Sequence, residues 1–472
     1  MLGSLAASGA LTDLQSSIDN DENQVVAWSD MPPYITARGS NFGKQVVGIP
    51  LVESVFIMYV NWPLLTSVYN ISRPVLGEAG RLSFYPDTWQ ELAAMMRQVN
   101  ATASDPVTGR PRHALCIPVA TDSSVVMYAV MASIMQTDGT TQGWLYDPLT
   151  LEPLTNNTAM LKASLCLQVL RTMWELSPFM RSFDSAITID MGECAIALAD
   201  SSVFKSLHIM YYNRNLMGLG GQLVNLAPSR YKAAQLIGLT HQVPQQLRKA
   251  VYDFIAFMGS PNVTQSYLRT PYSLDAPFRA SALLVYKPGD PLAEPGAAAW
   301  KGMGYNYADV QSYAHALSSI LALPYTAMDF RVADELKPLS YTQSALLALI
   351  GCSNPLVPRS AGSPADFAAA MTSMTSGLRA LPRSLMGHVL PPAAGDKATL
   401  VITDVQGSSK LWELLPAGVM EASMKLHDEL TRRLAVIHLG YEWATEGDSF
   451  LLCFHTPEAA VTFATQLQVG SE

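Results

Sequence analysis

Two carboxylates, Asp404 and Asp448, have the setting in which chemistry can be done. Asp404 closes the apolar run Thr399-Leu-Val-Ile-Thr and is followed at once by Val405, Gln406, Gly407, Ser408 and Ser409. That order describes a short buried strand delivering a carboxylate to its carboxyl end. A tight turn follows, whose outward N–H groups can hold phosphate while the carboxylate holds a divalent cation. Asp448 lies in a second acidic turn, Thr445-Glu-Gly-Asp448-Ser, between two apolar runs. Taken singly, either aspartate reads equally well as a turn-capping residue. Two close carboxylates without partners repel, and a bound cation resolves that repulsion.

The elements that would position them follow from periodicity. Val419 to Ile437 reads as a helix with Met420, Met424, His427, Leu430, Leu434 and Ile437 on one stripe. His427 in that stripe is a packed core histidine rather than a catalytic one. Gly440 to Thr445 and Ser449 to Phe454 read as a hairpin about the Glu-Gly-Asp turn. Thr456 as N-cap and Pro457 at the first helical position start a further helix with Ala460, Phe463, Ala464 and Leu467 on one face. Strand, helix, hairpin and helix, with the hairpin returning antiparallel past the first strand, would bring Asp448 beside Asp404.

The whole chain of 472 residues is long enough for two or three domains. Its formal net charge of −9 argues against a nucleic-acid-binding surface. The five cysteines, Cys116, Cys166, Cys194, Cys352 and Cys453, show no zinc-binding spacing. Four of them precede residue 353 and would permit two disulfides if that part is extracellular; buried free thiols are the alternative. Sequons at Asn70, Asn100, Asn156 and Asn262 lie in the same part. The first residues lack the basic region and apolar core of a signal peptide, and no window reaches the length of a membrane span. Residues 352–397 carry six prolines with several Gly and Ser residues and read as a linker, with Ala365 to Ala380 as a short helix inside it.

In the N-terminal part, Val55 to Asn61, His113 to Val119 and Glu193 to Leu198 read as strands. Thr88 and Glu91 form a capping box for a helix whose Trp89, Leu92, Met96 and Val99 share one face. A second helix runs from Pro244 to Met258, with Leu247, Val251, Phe254, Ile255 and Met258 on one face and Gly259 and Pro261 stopping it. Strands alternating with helices indicate an α/β architecture.

Within this part Gly48-Ile-Pro-Leu51, Met58-Tyr-Val-Asn61, Thr88-Trp-Gln-Glu-Leu92 and Pro277-Phe-Arg-Ala-Ser281 stand in that order. The order resembles the family-1 extracellular solute-binding proteins of the type 2 periplasmic-binding fold. The resemblance implies a two-lobed α/β domain over residues 1–351, its lobes closing by a hinge on a small solute. It begins part-way into the family's first lobe, so the first strand and helix are expected to be missing. Aromatics stack such ligands, and Tyr59, Trp62, Trp144, Trp174 and Trp300 are the candidates; core packing is the alternative for each.

Residues 398–472 resemble the class III adenylate/guanylate cyclases. The likeness is carried by Thr-Asp404-Val-Gln-Gly-Ser-Ser with Leu-Trp-Glu413, by His427 and Gly440-Tyr-Glu, and by Thr445-Glu-Gly-Asp448-Ser-Phe with Pro457-Glu-Ala-Ala. It implies a partial α+β ferredoxin-like domain, the N-terminal half of a catalytic domain. It also implies a phosphorus-oxygen lyase that converts ATP or GTP to the 3′,5′-cyclic nucleotide and pyrophosphate. By the same resemblance Asp404, Asp448 and the Val405 carbonyl would bind two Mg or Mn ions, and the Gln406 to Ser409 amides would face the triphosphate. Ala444 stands where the family often carries the purine-selecting Lys or Glu, so the choice between ATP and GTP is not read.

The family's second purine-contacting strand and its Asn/Arg helix for the transition state have no counterpart before Glu472. Family sites form between two cyclase domains, so a dimer partner is implied and this chain alone is expected to be inactive. Receptor cyclases of this layout place the sensor outside a membrane and the cyclase inside. The chain shows no span, which leaves a fragment or a soluble version open. A solute-binding module with a dead cyclase remnant, and a regulatory pseudo-cyclase that caps a full-length partner, are the rival readings.

Overall fold

The computed structural model describes residues 2–33, 35–52, 55–72, 89–99, 113–116, 194–201, 204–205, 235–270, 276–283, 293–305, 307–321, 376, 381–384 and 386–470. Trp144, Trp174, Asn100, Asn156, Cys166, Cys352, Thr88 and most of the expected 365–380 helix lie outside these residues.

The N-terminal unit opens with helix α1 (Leu2–Ala7) and a two-residue hairpin, β1 (Asn41–Phe42) and β2 (Gln45–Val46), followed by β3 (Ile49–Val52) and β4 (Phe56–Val60). Helices α2 (Trp62–Tyr69) and α3 (Trp89–Val99) then lead to β5 (His113–Cys116), β6 (Cys194–Asp200) and β7 (Gln235–Ile237). Two sheets result. β3 pairs antiparallel with β7, with Ile49 opposite Ile237. β6 lies between β4, antiparallel with Met58 opposite Leu198, and β5, parallel with Leu115 opposite Ile196. Ile57, Met58, Tyr59 and Val60 are all at most 2% exposed, so β4 is covered on both faces and reads as an unbroken apolar run. Cys194 at the start of β6 is disulfide-bonded.

Helix α3 buries Leu92, Met96 and Val99 as its periodicity predicts, and Met95 with them. Helix α4 (Gln245–Gly259) departs from expectation. Pro244 is its N-cap rather than its first residue, and the buried face is Tyr252, Ile255, Ala256 and Gly259. Leu247 and Phe254, assigned to the apolar face, are more than half exposed. The reason is Gly259: a Cβ there would lie 2.5 Å from the Ile49 side chain, so this face closes on β3 and the stripe turns with it.

After α4 come α5 (Pro261–Arg269), α6 (Ala293–Gly302) and α7 (Tyr307–Leu321). Arg279, fully buried, donates to the carbonyls of Val26, Ala27 and Gly259 and faces Asp30 at 3.5 Å. Asp30 in turn accepts from the Ser281 N–H at 2.8 Å and its hydroxyl at 2.6 Å. The chain's early loop is thereby fastened to the α4–α5 junction.

The C-terminal unit consists of β8 (Thr399–Ile402), α8 (Ser408–Leu414), α9 (Ala417–Ile437), β9 (Gly440–Glu446), β10 (Ser449–Phe454) and α10 (Pro457–Gly470). Its sheet is antiparallel throughout in the order β8-β10-β9. β10 alternates, with Phe450, Leu452 and Phe454 buried against Leu434, Ala435, Ala460, Phe463 and Leu467 of α9 and α10. Thr456 caps α10 by accepting from the Ala459 N–H at 3.2 Å, as its sequence predicts.

Two expectations fail in this unit. β8 is not a buried strand, because both helices cover one face of the sheet only and leave Leu400 and Ile402 71% and 72% exposed. The stretch after Gly407, read as turn alone, continues into α8. The Lys410 and Leu411 N–H groups bond back to the Gly407 carbonyl at 3.0 and 3.2 Å, starting a helical turn.

Candidate functional site

Both aspartates sit at one end of the three-stranded sheet. Thr403 extends the β8–β10 ladder by one residue: its N–H donates to the Phe450 carbonyl, and its hydroxyl accepts from the Phe450 N–H, each at 3.0 Å. That fixes the point at which the chain leaves the sheet and presents Asp404. On the hairpin, Gly447 at φ +62° makes the turn before Asp448.

The two acidic residues are braced crosswise. Oδ1 of Asp404 accepts from the Ser449 hydroxyl at 3.0 Å, and Oδ2 of Asp448 accepts from the Val405 N–H at 3.2 Å. Each carboxylate is thus held by the neighbour of the other. Burial alone would raise the Asp448 carboxyl. Hydrogen bonds from its own backbone N–H, the Ser408 hydroxyl and Val405, with the nearby charge of His427, outweigh it and hold the group below the usual carboxylate range.

The turn behaves partly as the sequence predicts. The Ser408 N–H is taken by the Val405 carbonyl at 3.1 Å, so it closes the turn instead of facing outward. Val405 keeps a second lone pair for another donor or a cation. Gly407, at φ +71°, supplies the left-handed conformation that a β-carbon would strain. Gln406 and Ser409 are exposed beside it.

Ala444 lies opposite Leu451, which lies opposite Ile402, and all three line the face that the helices leave open. A bulge at Leu451/Leu452 sets Trp443 out of register and leaves it 70% exposed. Trp443, Leu451 and Ile402 border a shallow apolar hollow together with Leu400, Tyr441 and Pro391.

His427 is half-buried, with Nδ1 3.3 Å from Asp428 and its ring 5.9 Å from that of Phe450. It supports the hairpin from below and also biases Asp448 electrostatically, a link that its stripe position alone does not reveal.

The donor set offered by Asp404, Asp448 and the Val405 carbonyl is all hard oxygen, which suits Mg or Mn. Among the described residues no group of three or more His, Cys, Asp or Glu is placed to hold a metal ion. A cation held by two carboxylates and a carbonyl would need substrate phosphates and water to complete its shell, the usual habit of Mg.

In the N-terminal unit Tyr59, Trp62 and Trp300 are 2%, 5% and 6% exposed. Tyr59 donates to the Ser201 carbonyl at 3.3 Å, and Trp300 meets Tyr305 edge-on at 5.0 Å. Of the two readings open for these residues, core packing is the one their burial fits.

No protein-family model matches the chain. A stretch of 87 residues, 18% of this chain, is 38% identical to an adenylate cyclase of Lachancea kluyveri and covers 5% of that protein. Over 79 residues the chain is 37% identical to a receptor-type adenylate cyclase of Trypanosoma congolense, covering 10% of it. The chain thus spans a small part of the curated relatives it matches, and the likeness is to a cyclase-like region. Among solved structures, a solute-binding protein of an ABC transporter from Agrobacterium radiobacter, solved with ribitol, aligns at TM-score 0.50 and 13% identity. It covers 80% of this chain and 82% of its own. That comparison shows the fold alone: a two-lobed α/β architecture.

Proposed function

We propose that the chain is a sensor-coupled nucleotide cyclase subunit, in which the C-terminal unit supplies the metal and triphosphate half of the site. The observation that carries this reading is the crosswise bracing of Asp404 and Asp448 at one end of the sheet. In it, the two carboxylates and the Val405 carbonyl hold Mg or Mn, and Gln406, Gly407 and Ser409 face the triphosphate. Bound metal supplies charge stabilisation for attack of the ribose 3′-oxygen on the α-phosphate. The residues of this chain orient the phosphates and keep the two carboxylates in register. Ala444 borders the purine, and ATP and GTP both remain substrates under this reading. A second cyclase domain, docked on the open apolar face, completes the site.

For the N-terminal unit the reading is recognition of a small polar solute between its lobes, supported by the solute-binding fold. Contacts described below join the two units directly, which favours a reading in which both lie on one side of any membrane. A membrane receptor with the sensor outside and the cyclase inside is the alternative. It requires a span, and no described helix is long and apolar enough to supply one.

The test is binding of Mn²⁺ with a non-cyclisable nucleotide triphosphate, measured by titration calorimetry on the purified chain. Binding lost in both Asp404→Ala and Asp448→Ala supports the site. Wild-type protein that binds neither ligand rules it out in favour of a solute-binding module with an inert tail.

A further inference from the structure

The described segment ahead of β8, assigned to a linker by its prolines, is ordered around one arginine. Arg383 and Val389 form an antiparallel bridge, and the Leu390 N–H donates to the Pro382 carbonyl at 2.9 Å. Ser384 and His388 close the loop between them, N–H to carbonyl at 2.8 Å and N–H to hydroxyl at 3.0 Å.

This small hairpin touches both units. Toward the C-terminal unit, the Arg383 guanidinium donates through Nη2 to the Val436 carbonyl in the last turn of α9. Carbonyls there lack intrahelical partners, and the helix dipole favours a cation. His455 adds a second tie, with Nε2 2.9 Å from the Leu390 carbonyl. Toward the N-terminal unit, the Gly43 N–H donates to the Met386 carbonyl at 2.8 Å, and the guanidinium lies over the Phe42 ring at 5.7 Å. Phe42 itself packs with Ala6, Ala7, Leu11 and Val47. A separate contact runs alongside: a Cβ on Gly9 would fall 2.5 Å from the Ile437 side chain.

Arg383 is 3% exposed. Burying a guanidinium is costly unless its donors and charge are met. Here the Gly387 and Val436 carbonyls and the Phe42 face meet them. Burial pushes the group down to about 10, so it stays protonated at neutral pH. Beyond Val436 the chain turns at Leu439, φ +57°, enters β9 at Gly440 and runs directly to the turn that holds Asp448.

We propose that Arg383 is a coupling residue, through which the N-terminal unit sets the position of the α9–β9 junction and hence of the hairpin carrying Asp448. The contacts exist whatever the site catalyses, so this inference stands apart from the reading of the site as a cyclase half.

Hydrogen exchange on the full chain, without metal or nucleotide, tests it. Arg383→Ala attacks the clamp directly, and Phe42→Ala removes its support from the N-terminal side while leaving the arginine and its bonds to the Gly387 and Val436 carbonyls in the chain. Gly418→Ala, where a Cβ meets nothing within 4 Å, is the control. Both variants are expected to exchange about tenfold faster or more at residues 436–440 and 445–449, with the control at wild-type rates. Acceleration confined to residues 381–390 overturns the proposal. If Arg383→Ala does not fold, Phe42→Ala decides alone: wild-type rates at 436–449 in that variant overturn the proposal equally.

Discussion

The Ser449 hydroxyl donates to Oδ1 of Asp404 across 3.0 Å, joining the residue after one acidic turn to the carboxylate of the other. If the pair holds a cation, this bond orients a ligand without being one. We predict that Ser449→Ala weakens Mn²⁺ binding about fivefold, the equivalent of about 1 kcal/mol for one lost hydrogen bond. Ser449→Thr, which keeps the hydroxyl, should recover most of it. Electron paramagnetic resonance of free Mn²⁺ measures both; equal affinity in wild type and Ser449→Ala would deny the bond any role.

Asp448 carries a signed pH dependence. Its folded carboxyl lies below the ordinary 3.8. The stability it contributes is therefore complete above that ordinary value, and it is lost as the pH falls through the lower, folded one. Asp448→Asn should flatten this acid limb of a urea-midpoint profile for the C-terminal unit and leave the neutral range unchanged. An acid limb identical in both proteins would show that the bracing bonds do not discriminate the charged form.

The two faces of the C-terminal sheet should respond oppositely to substitution. Leu400→Ser and Ile402→Ser lie on the open face and should change stability by about 0.5 kcal/mol or less. Phe463→Ala, against the closed face, should cost about 3–5 kcal/mol. Denaturant unfolding of the unit measures all three. A large loss from Leu400→Ser would mean that the open face is covered in solution.

Arg279 and Asp30 make a parallel case in the N-terminal unit. Arg279→Ala leaves Asp30 and three backbone carbonyls without their buried cation, and should cost about 3–5 kcal/mol. Arg279→Lys, a point charge without the fork, should recover only part. A thermal transition of the N-terminal unit unchanged by Arg279→Ala would contradict the network.

The secondary structure around the site was legible because each signal there is local. Thr456 and Pro457 announce a helix start, and the Glu-Gly-Asp turn at Gly447 between two apolar runs announces a hairpin. The face of β8 was not, because Leu400 to Ile402 is apolar throughout and only the placement of α9 and α10 decides which side is closed. The rotated face of α4 had the same origin, since nothing before Gly259 tells that Ile49 will press against it. Ser449 could have been singled out, standing next to Asp448 in the same turn. Arg383 could not: a lone arginine among prolines reads as solvated, and its partners Phe42 and Val436 are remote in sequence. The aromatics Tyr59, Trp62 and Trp300 could belong to cleft or core by type alone, and burial separates the two.

The bulge that displaces Trp443 has an optical consequence. An indole 70% exposed on the open face emits as a solvated fluorophore, as does Trp412 at 47% in α8, whereas Trp62 and Trp300 are shielded in the N-terminal unit, so the Trp443 signal is the part of the emission that Trp443→Phe removes. Under the proposed function, a partner domain or a purine that covers the face is expected to move that emission to shorter wavelength. The protein therefore carries a reporter of the occupancy of its open sheet face, readable without a label and silenced by Trp443→Phe.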